Sequence, residues 1–230
     1  MRVLLASPTY GPIEPECAHT LRYAMMVATH HGTTWIADAA PNRMTYSTAR
    51  NMVAQWVYDN PTKVDGIMWV DSDIICEPSS IARLMHGAAS HDIFSGVYHE
   101  RHPPHDPLFH NFNPATGHFV QCRVYPPDTV STHDGCGFGF VFTSTRVIQA
   151  IAAHPDFDPV TTRWFPDRRH IPGGFGEDLS FCHMAMTLGI RVHVDTGVQV
   201  IHCGPPEKID RATQLRFMES QKSFAPVDLA

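Results

Sequence analysis

The amino-acid sequence predicts an α/β fold with a mainly parallel central sheet and helices on both faces. Short apolar runs alternate with segments of helical periodicity in the order β, α, β, α, β, α, β along residues 1–98, which is typical of parallel sheets. Within this order, Gly66–Val70 is a continuous run without charged residues, as expected for a central strand that is covered on both faces. No linker-like interruption separates the elements, so a single domain over residues 1–230 is predicted.

The elements of the first half are bounded by residues that break regular structure. Apolar periodicity places strands at 3–6, 34–37, 66–70 and 93–98, and helices over 18–28, 49–57 and 78–88. The second helix has Ser47 available as its N-cap, and Asn60 and Pro61 end it. Pro78 suits the first turn of the third helix, where the backbone N–H has no helical partner.

The second half of the chain is less regular. Its apolar patterns predict strands at 109–112, 118–124, 138–142, 191–195 and 198–201, and helices through 147–151 and 179–189. The stretches 99–107 and 125–134 are rich in proline and polar residues, and we interpret both as long surface loops.

Composition and charge narrow the classes of function. With 43% hydrophobic and 17% charged residues, the chain has the balance of a globular protein. Its net charge of −6 argues against a general binder of polyanions. Two stretches still offer a local basic strip, and its members are Arg101, His102, His105, Arg163, Arg168, Arg169 and His170. Solvated loop charges without a partner are the alternative interpretation.

The N-terminal segment and the cysteines bear on the cellular location. Residues 1–6 form too short an apolar run for a signal peptide or a membrane span, so we expect a cytoplasmic protein. The six cysteines show no Cys-x-x-Cys spacing, which predicts free thiols rather than a disulfide framework or a zinc site.

Two acidic residues directly follow the predicted central strand. Asp71 and Asp73 are two positions apart, so on an extended segment both side chains point the same way. Open α/β sheets bind ligands at this edge, and paired carboxylates there suit Mg²⁺ or Mn²⁺, which would bridge diphosphate oxygens. A helix cap beside a merely solvated carboxylate is the alternative.

Acidic and histidine residues of the second half extend this pattern. Glu177 and Asp178 open a predicted helix that ends near Gly189, and His202 ends the last predicted strand. Taken alone, the acidic pair would complement the helix dipole, and the histidine would be a hydrogen-bonded structural residue. Their order behind the aspartate pair is what gives them functional weight.

These motifs resemble those of GT-A glycosyltransferases in order and in structural context, over roughly residues 2–204. The resemblance implies a GT-A fold in one domain. It has a Rossmann-like nucleotide-sugar-binding half at about 1–98, an acceptor-binding and catalytic half at about 99–204, and a C-terminal tail at 205–230.

The resemblance also implies roles for the acidic and histidine side chains. Asp71, Asp73 and His202 would hold the metal, and an imidazole ligand shifts preference from Mg²⁺ toward Mn²⁺. Asp178 would be the general base that takes the proton of an acceptor hydroxyl, and Glu177 would position the acceptor.

Further residues are expected around the donor. The family receives the nucleotide base in the loop after the first strand, and a further aspartate after the second strand contacts the base or ribose. The matching residues here, with the serine between the paired aspartates, are Pro8, Thr9, Tyr10, Asp38 and Ser72. We expect the Tyr10 ring to stack on the base.

One arginine and two glycines complete the expected donor site. Arg50 lies in the first turn of its predicted helix, where a cation opposes the helix dipole, and we predict that the donor diphosphate holds it there. Gly137 and Gly139 precede a predicted strand. They either let a sugar approach the backbone closely or form a bulge.

The sequence and this resemblance therefore predict a metal-dependent glycosyltransferase that moves a sugar from a UDP- or GDP-linked donor to a hydroxyl. The resemblance implies inversion, and the sequence leaves retention open. Acceptor candidates are hydroxymethylated pyrimidines in DNA, as for phage-type enzymes, and polysaccharide, protein or small-molecule hydroxyls. Two alternatives stay open: a metal-dependent nucleotidyltransferase or nucleotide-sugar hydrolase, and a non-catalytic nucleotide-sugar or carbohydrate-binding module. The sequence leaves the oligomeric state open.

Overall fold

The computed structural model describes residues 1–9, 11, 13–39, 41, 43–155, 157–160, 163–204 and 207–222. The helices of this part of the chain are α1 (Pro15–His30), α2 (Tyr46–Asp59), α3 (Pro78–Ala88), α4 (Thr145–Ala152), α5 (Glu177–Thr187) and α6 (Arg211–Lys222). Its strands are β1 (Arg2–Ala6), β2 (Thr34–Ala39), β3 (Gly66–Val70), β4 (Ile74–Cys76), β5 (Ile93–Val97), β6 (Phe109–Asn113), β7 (His118–Gln121), β8 (Val130–His133), β9 (Gly135–Cys136), β10 (Phe140–Ser144), β11 (Val192–Gly204) and β12 (Glu207–Ile209).

The central sheet has the order β12-β11-β5-β10-β3-β1-β2, and β4 and β8 pair with β11 beside this path. Strand β1 is parallel to both β2 and β3, and β11 is parallel to β5. Strand β10 lies antiparallel between β3 and β5. The predicted α/β architecture with a mainly parallel sheet is confirmed.

The sheet is buried on both faces at its centre, since every residue of β3 and β5 is buried and β3 has no polar side chain. Alternate residues of β3 face opposite sides, so Ile67 and Trp69 join one core cluster while Met68 and Val70 join the other. The first cluster includes residues of α2, α4 and α5, and the second includes residues of α1 and α3. Trp69 is fully buried, and its indole N–H donates to Oγ1 of Thr143 at 2.9 Å.

The N-cap of α2 is a different residue from the predicted one. Thr45 is the N-cap, and its Oγ1 accepts a hydrogen bond from the backbone N–H of Thr48 at 3.2 Å. The hydroxyl of Ser47, which we expected at the cap, donates instead to the carbonyl of Phe165. Both residue types cap helices well, so the choice between them depends on a tertiary contact that the sequence does not display.

The second half contains the main departures from the predicted elements. The strands expected at 191–195 and 198–201 are one continuous strand, β11, with an irregular register between Val194 and Gln199. The stretch 125–134, expected to be loop, contains β8, and β4 was not predicted at all. Strands β7, β6 and β9 form a separate three-stranded sheet.

Three smaller expectations have outcomes in the structure. Gly189 follows the end of α5 with φ of +77°, and its N–H donates to the carbonyl of Met186 at 2.9 Å, as predicted for a helix-end glycine. All six cysteines are free thiols. Among the helices of the described residues, none combines the length and the apolar character needed to cross a bilayer.

Candidate functional site

The site lies where the carboxyl end of β3 meets the start of α5. Asp71 directly follows β3, and its backbone N–H donates to the carbonyl of Gly139 at 3.0 Å. The segment from Asp71 to Asp73 is a turn, closed by a hydrogen bond from the N–H of Ile74 to the carbonyl of Asp71 at 3.2 Å. Our expectation of an extended segment is therefore wrong, and the two carboxylates contact different partners.

A buried arginine joins three of the carboxylates. The guanidinium of Arg50 is 2% exposed; its Nη2 lies 3.2 Å from Asp71, and its Nη1 donates to Glu177 at 2.9 Å and also to Asp178. Burial alone would lower the pKa of Arg50, but the three carboxylates raise it above its usual value. In the structure these carboxylates hold the guanidinium near the start of α2, and its expected contact with a donor diphosphate stays a prediction.

The surroundings of the Asp178 carboxylate fix its position and raise its pKa. Its Oδ2 accepts a hydrogen bond from the backbone N–H of Phe138 at 3.1 Å. Burial raises the pKa of Asp178 to about 7, assisted by the charges of Glu177 and Asp71 and opposed by Arg50. A side chain exposure of 24% leaves the carboxylate accessible. A carboxylate with a pKa near neutrality can exchange a proton with a substrate at physiological pH.

The pKa of Asp71 is raised as well. Burial raises the pKa of Asp71, while Arg50 and then His202 lower it. Glu177 and Asp178 occupy the first two positions of α5, where the positive end of the helix dipole favours negative charge. Asp71, Glu177 and Asp178 thus concentrate negative charge, which the guanidinium of Arg50 and one helix terminus offset.

His202 lies next to Asp73, with an arginine in contact with both. Nε2 of His202 is 3.6 Å from Oδ2 of Asp73, and each side chain is 14% exposed. Nδ1 of His202 donates to the carbonyl of His99 at 2.8 Å. The guanidinium of Arg101 forms an ion pair with Asp73 and donates from Nε to Nε2 of His202 at 3.0 Å. The imidazole is therefore neutral, and its Nε2 lone pair accepts from Arg101 beside the carboxylate of Asp73.

Strand pairing accounts for this meeting of distant residues. Strand β4 runs antiparallel to β11, with Ile74 opposite His202, and the N–H of Cys203 donates to the carbonyl of Asp73 at 2.8 Å. Burial lowers the pKa of His202, and the hydrogen bond to His99 opposes this shift. The short strand that the sequence did not predict therefore fixes the position of the histidine.

The donor set of Asp73 and His202 fits a divalent cation such as Mn²⁺. Oδ1 of Asp73 is buried and has no hydrogen-bond partner among the described residues. Carboxylate oxygen with neutral imidazole nitrogen is a combination that Mn²⁺ accepts. Within the described part of the chain, no three such side chains already form a metal-binding cluster. Asp71 is engaged by Arg50, and Arg101 contacts both Asp73 and His202.

The N-terminal loop has well-defined backbone contacts. Pro8 and Thr9 are buried, and the N–H of Thr9 donates to the carbonyl of Pro41 at 3.0 Å. Asp38 lies in β2 opposite Leu5, at the same edge of the sheet. Tyr10 and the side chain of Asp38 lie outside the described part of the structure. The expected base-stacking and ribose contacts therefore stay predictions.

The two glycines before β10 are explained by packing. The N–H of Gly139 donates to the hydroxyl of Tyr98 at 3.0 Å, and a Cβ at Gly139 would lie 2.7 Å from Cζ of that ring. A Cβ at Gly137 would meet the same hydroxyl. The space that we expected a sugar to use is filled by the buried Tyr98. Ser72 lies in the turn between the two aspartates.

The basic residues divide between two places and do not form the single strip considered above. Arg101 contacts the acidic site, and His105 is buried, with Nδ1 3.0 Å from the carbonyl of Glu100. Arg163, Arg168, Arg169 and His170 line a separate cleft beside Glu177. Sequence reasoning assigned Arg101 to a basic strip and Tyr98 to a strand, and it missed that both belong to this site. Their position directly after β5, at the ligand-binding edge of the sheet, was the available signal.

No protein-family model and no curated protein sequence matches the chain. Its structure resembles the crystal structure of A197 from STIV, with a TM-score of 0.56, 14% identity, and coverage of 89% of this chain and 86% of that one. It also resembles GalNAc-T7 in complex with UDP, GalNAc and Mn²⁺, with a TM-score of 0.54 and 8% identity over 94% of this chain. The chain spans 47% of the length of GalNAc-T7. The fold is that of the GT-A glycosyltransferases.

Proposed function

We propose that this chain is a metal-dependent glycosyltransferase that moves a sugar from a UDP- or GDP-linked donor to a hydroxyl acceptor with inversion. The observation that carries the proposal is the arrangement at the carboxyl edge of β3: Asp73 beside His202, and Asp178 held by Arg50 a short distance away. The first pair suits a cation, and the second supplies a base whose pKa burial raises to about 7. The GT-A fold and the likeness to a structure that contains UDP and Mn²⁺ support it.

Asp73 and His202 would hold Mn²⁺ or Mg²⁺, with Asp71 as a third candidate ligand. The bound cation supplies charge neutralisation for the departing nucleoside diphosphate. The unpaired Oδ1 of Asp73 is available to it directly, and the Nε2 lone pair of His202 becomes available once Arg101 is displaced.

Asp178 would act as the general base. A carboxylate oxygen of Asp178 would take the proton of the acceptor hydroxyl. At the same time the hydroxyl oxygen would bond to the sugar carbon, and the bond from that carbon to the diphosphate oxygen would break. The hydrogen bonds from Phe138 and Arg50 fix the carboxylate before the acceptor arrives. Glu177, on the other side of the same helix terminus, would orient the acceptor.

Arg50 has a positioning role in this proposal. Its planar guanidinium donates to Asp71, Glu177 and Asp178 together, so it sets the relative position of the cation side and the base side of the site. A lysine has one compact ammonium group and could not reproduce the fork.

A donor panel tests the proposal. Release of nucleoside diphosphate is measured from UDP- and GDP-sugars with Mn²⁺ or with a chelator, for the native chain and for Asp73→Asn. We expect release from at least one donor that requires Mn²⁺ and is nearly absent in the variant. No release from any donor, or equal release by both chains, would remove the proposal. Free sugar as the only product under every acceptor tested would favour a nucleotide-sugar hydrolase.

A further inference from the structure

A cleft with a volume of about 860 Å³ opens beside Glu177. We call it the arginine cleft. One wall is the start of α2 from Thr45 to Thr48, and the other is the segment that carries Arg163, Arg168, Arg169 and His170. A volume of this size is in the range of roughly 300–1,000 Å³ that small-molecule sites occupy.

Among the described residues, three arginines and two carboxylates, Asp167 and Glu177, line the arginine cleft, so positive charge is in excess there. Arg169 is paired with Asp167 at 2.9 Å and lies 3.9 Å from Glu177. Among the described residues, neither Arg163 nor Arg168 forms an ion pair; Nε of Arg163 donates to the carbonyl of Pro159 at 2.9 Å. Two guanidiniums on one concave surface repel each other, so an anion placed between them would be stabilised.

The start of α2 adds to the positive electrostatic potential of the cleft. This helix of 14 residues has no acidic residue in its first turn, and its cap Thr45 satisfies only the N–H of Thr48. The first N–H groups of any helix lack helical partners and carry the positive end of the dipole. The hydroxyls of Thr45 and Thr48 on this wall bond each other at 2.9 Å, and that of Ser47 donates to Phe165. The arginines and the helix terminus therefore line the same cleft.

The cleft adjoins the part of the site that contains Glu177 and the proposed general base Asp178. Glu177 lines it and bonds Nη1 of Arg50, the nitrogen that also holds Asp178. Asp71 bonds the other nitrogen, Nη2, and none of Asp71, Asp73 and His202 lines the cleft. Asp178 itself does not line the cleft, so a molecule there would reach the site through Glu177, its neighbour in the chain.

We propose that the arginine cleft binds a phosphate group carried by the acceptor, so that the acceptor hydroxyl belongs to a phosphate ester. The identification of the occupant as an acceptor rests on the proposed function, whereas the binding of a phosphate ester rests on the cleft alone. A neutral saccharide would leave the charges of Arg163 and Arg168 without a counterion. Phosphate offers guanidinium groups paired oxygens for bidentate hydrogen bonds.

The source of the phosphate is either a phosphodiester strand or a small phosphomonoester, and two probes separate them. A labelled single-stranded oligonucleotide and glucose 6-phosphate are titrated into the full chain without donor or metal, at low and at moderate salt. We expect one of them to bind, with affinity that weakens as salt is added. Oligonucleotide binding alone identifies a strand, and glucose 6-phosphate binding alone identifies a small ester.

The double variant Arg163→Gln with Arg168→Gln tests the location. We expect it to bind the effective probe at least about 10-fold more weakly, because charge-assisted hydrogen bonds are lost. Arg22→Gln is the matched control, since Arg22 is exposed on α1 and does not line the cleft. Thermal unfolding of each variant verifies its fold. No binding of either probe by the native chain, or equal binding by the double variant, overturns the proposal. Failure of donor turnover leaves this assay untouched, so the two proposals fail separately.

Discussion

Nε2 of His202 lies 3.6 Å from Oδ2 of Asp73, although the two residues belong to different halves of the chain. Pairing of β4 with β11 brings them together, and the hydrogen bond from Nδ1 to His99 turns the imidazole so that Nε2 faces the carboxylate. This is an oriented pair, since both the backbone and the second ring nitrogen are fixed. Pre-oriented ligands of this kind are what metal sites require.

Substitution of Asp73 by asparagine should weaken Mn²⁺ binding. The change removes the anionic charge that faces His202 while keeping the side chain volume. Loss of a group that merely orients a ligand costs up to about 100-fold in metal affinity, so we expect loss of a ligand to cost at least about 100-fold. Titration of the purified chain with Mn²⁺, with free Mn²⁺ followed by its electron paramagnetic resonance signal, measures the affinity. Asp59→Asn, on the exposed end of α2, is the control. Equal affinities for the native chain and Asp73→Asn would contradict a metal role for Asp73.

Substitution of Arg101 by glutamine should have the opposite effect on Mn²⁺. The guanidinium of Arg101 now contacts both Asp73 and Nε2 of His202, so a cation has to displace it. Because Arg101 is 41% exposed, its pairing is partly screened, and we expect about 10-fold tighter Mn²⁺ binding in the absence of donor. The same titration measures the effect. Weaker binding by Arg101→Gln would show that the guanidinium assists the cation instead of competing with it.

The sequence allowed prediction of those features of the site that follow from local patterns. Asp71 and Asp73 after an apolar strand, and Glu177 and Asp178 at a helix start, are placed by strand and helix periodicity alone. The order of strands and helices similarly predicts the layered α/β architecture, because an apolar strand needs cover on both faces.

Features that depend on tertiary partners could not be predicted in this way. Arg101 lies in a loop, and only the folded chain shows that it contacts Asp73. Position 139 requires glycine because a Cβ there would meet the ring of Tyr98, and no spacing in the sequence reveals this contact. The guanidinium of Arg50 is paired with Asp71, after β3, and with Glu177 of α5, and the sequence does not display either contact. Each of these contacts joins residues that are distant in the chain.

Replacement of Arg50 by methionine should destabilise the fold. Arg50 is 2% exposed and bonds three carboxylates, so its removal leaves buried negative charges without a partner, at a cost of about 3–5 kcal/mol. Urea unfolding followed by circular dichroism measures the free energy of unfolding.

Arg2→Met is the matched control for that measurement. Its partner Asp65 lies 2.8 Å away, but the two side chains are 48% and 42% exposed, so the loss should be about 1 kcal/mol or less. Similar losses for Arg2→Met and Arg50→Met would mean that the buried carboxylates find other partners or bind protons at little cost.

The pH dependence of turnover should report Asp178. A general base works in its ionised form, and burial raises the pKa of Asp178 to about 7, so kcat/KM should increase with pH through about 7 and then level off. The expected limb is acidic because protonation of Asp178 removes the base. Asp178→Asn should lower kcat by about 100- to 10,000-fold, the usual contribution of general base catalysis, and should flatten this limb. Measurement of initial rates between pH 5 and 9, a range set by titration of a group near pH 7, checks both effects. Retention of the same acidic limb in Asp178→Asn would assign the titration to another group and would remove Asp178 from the role of base.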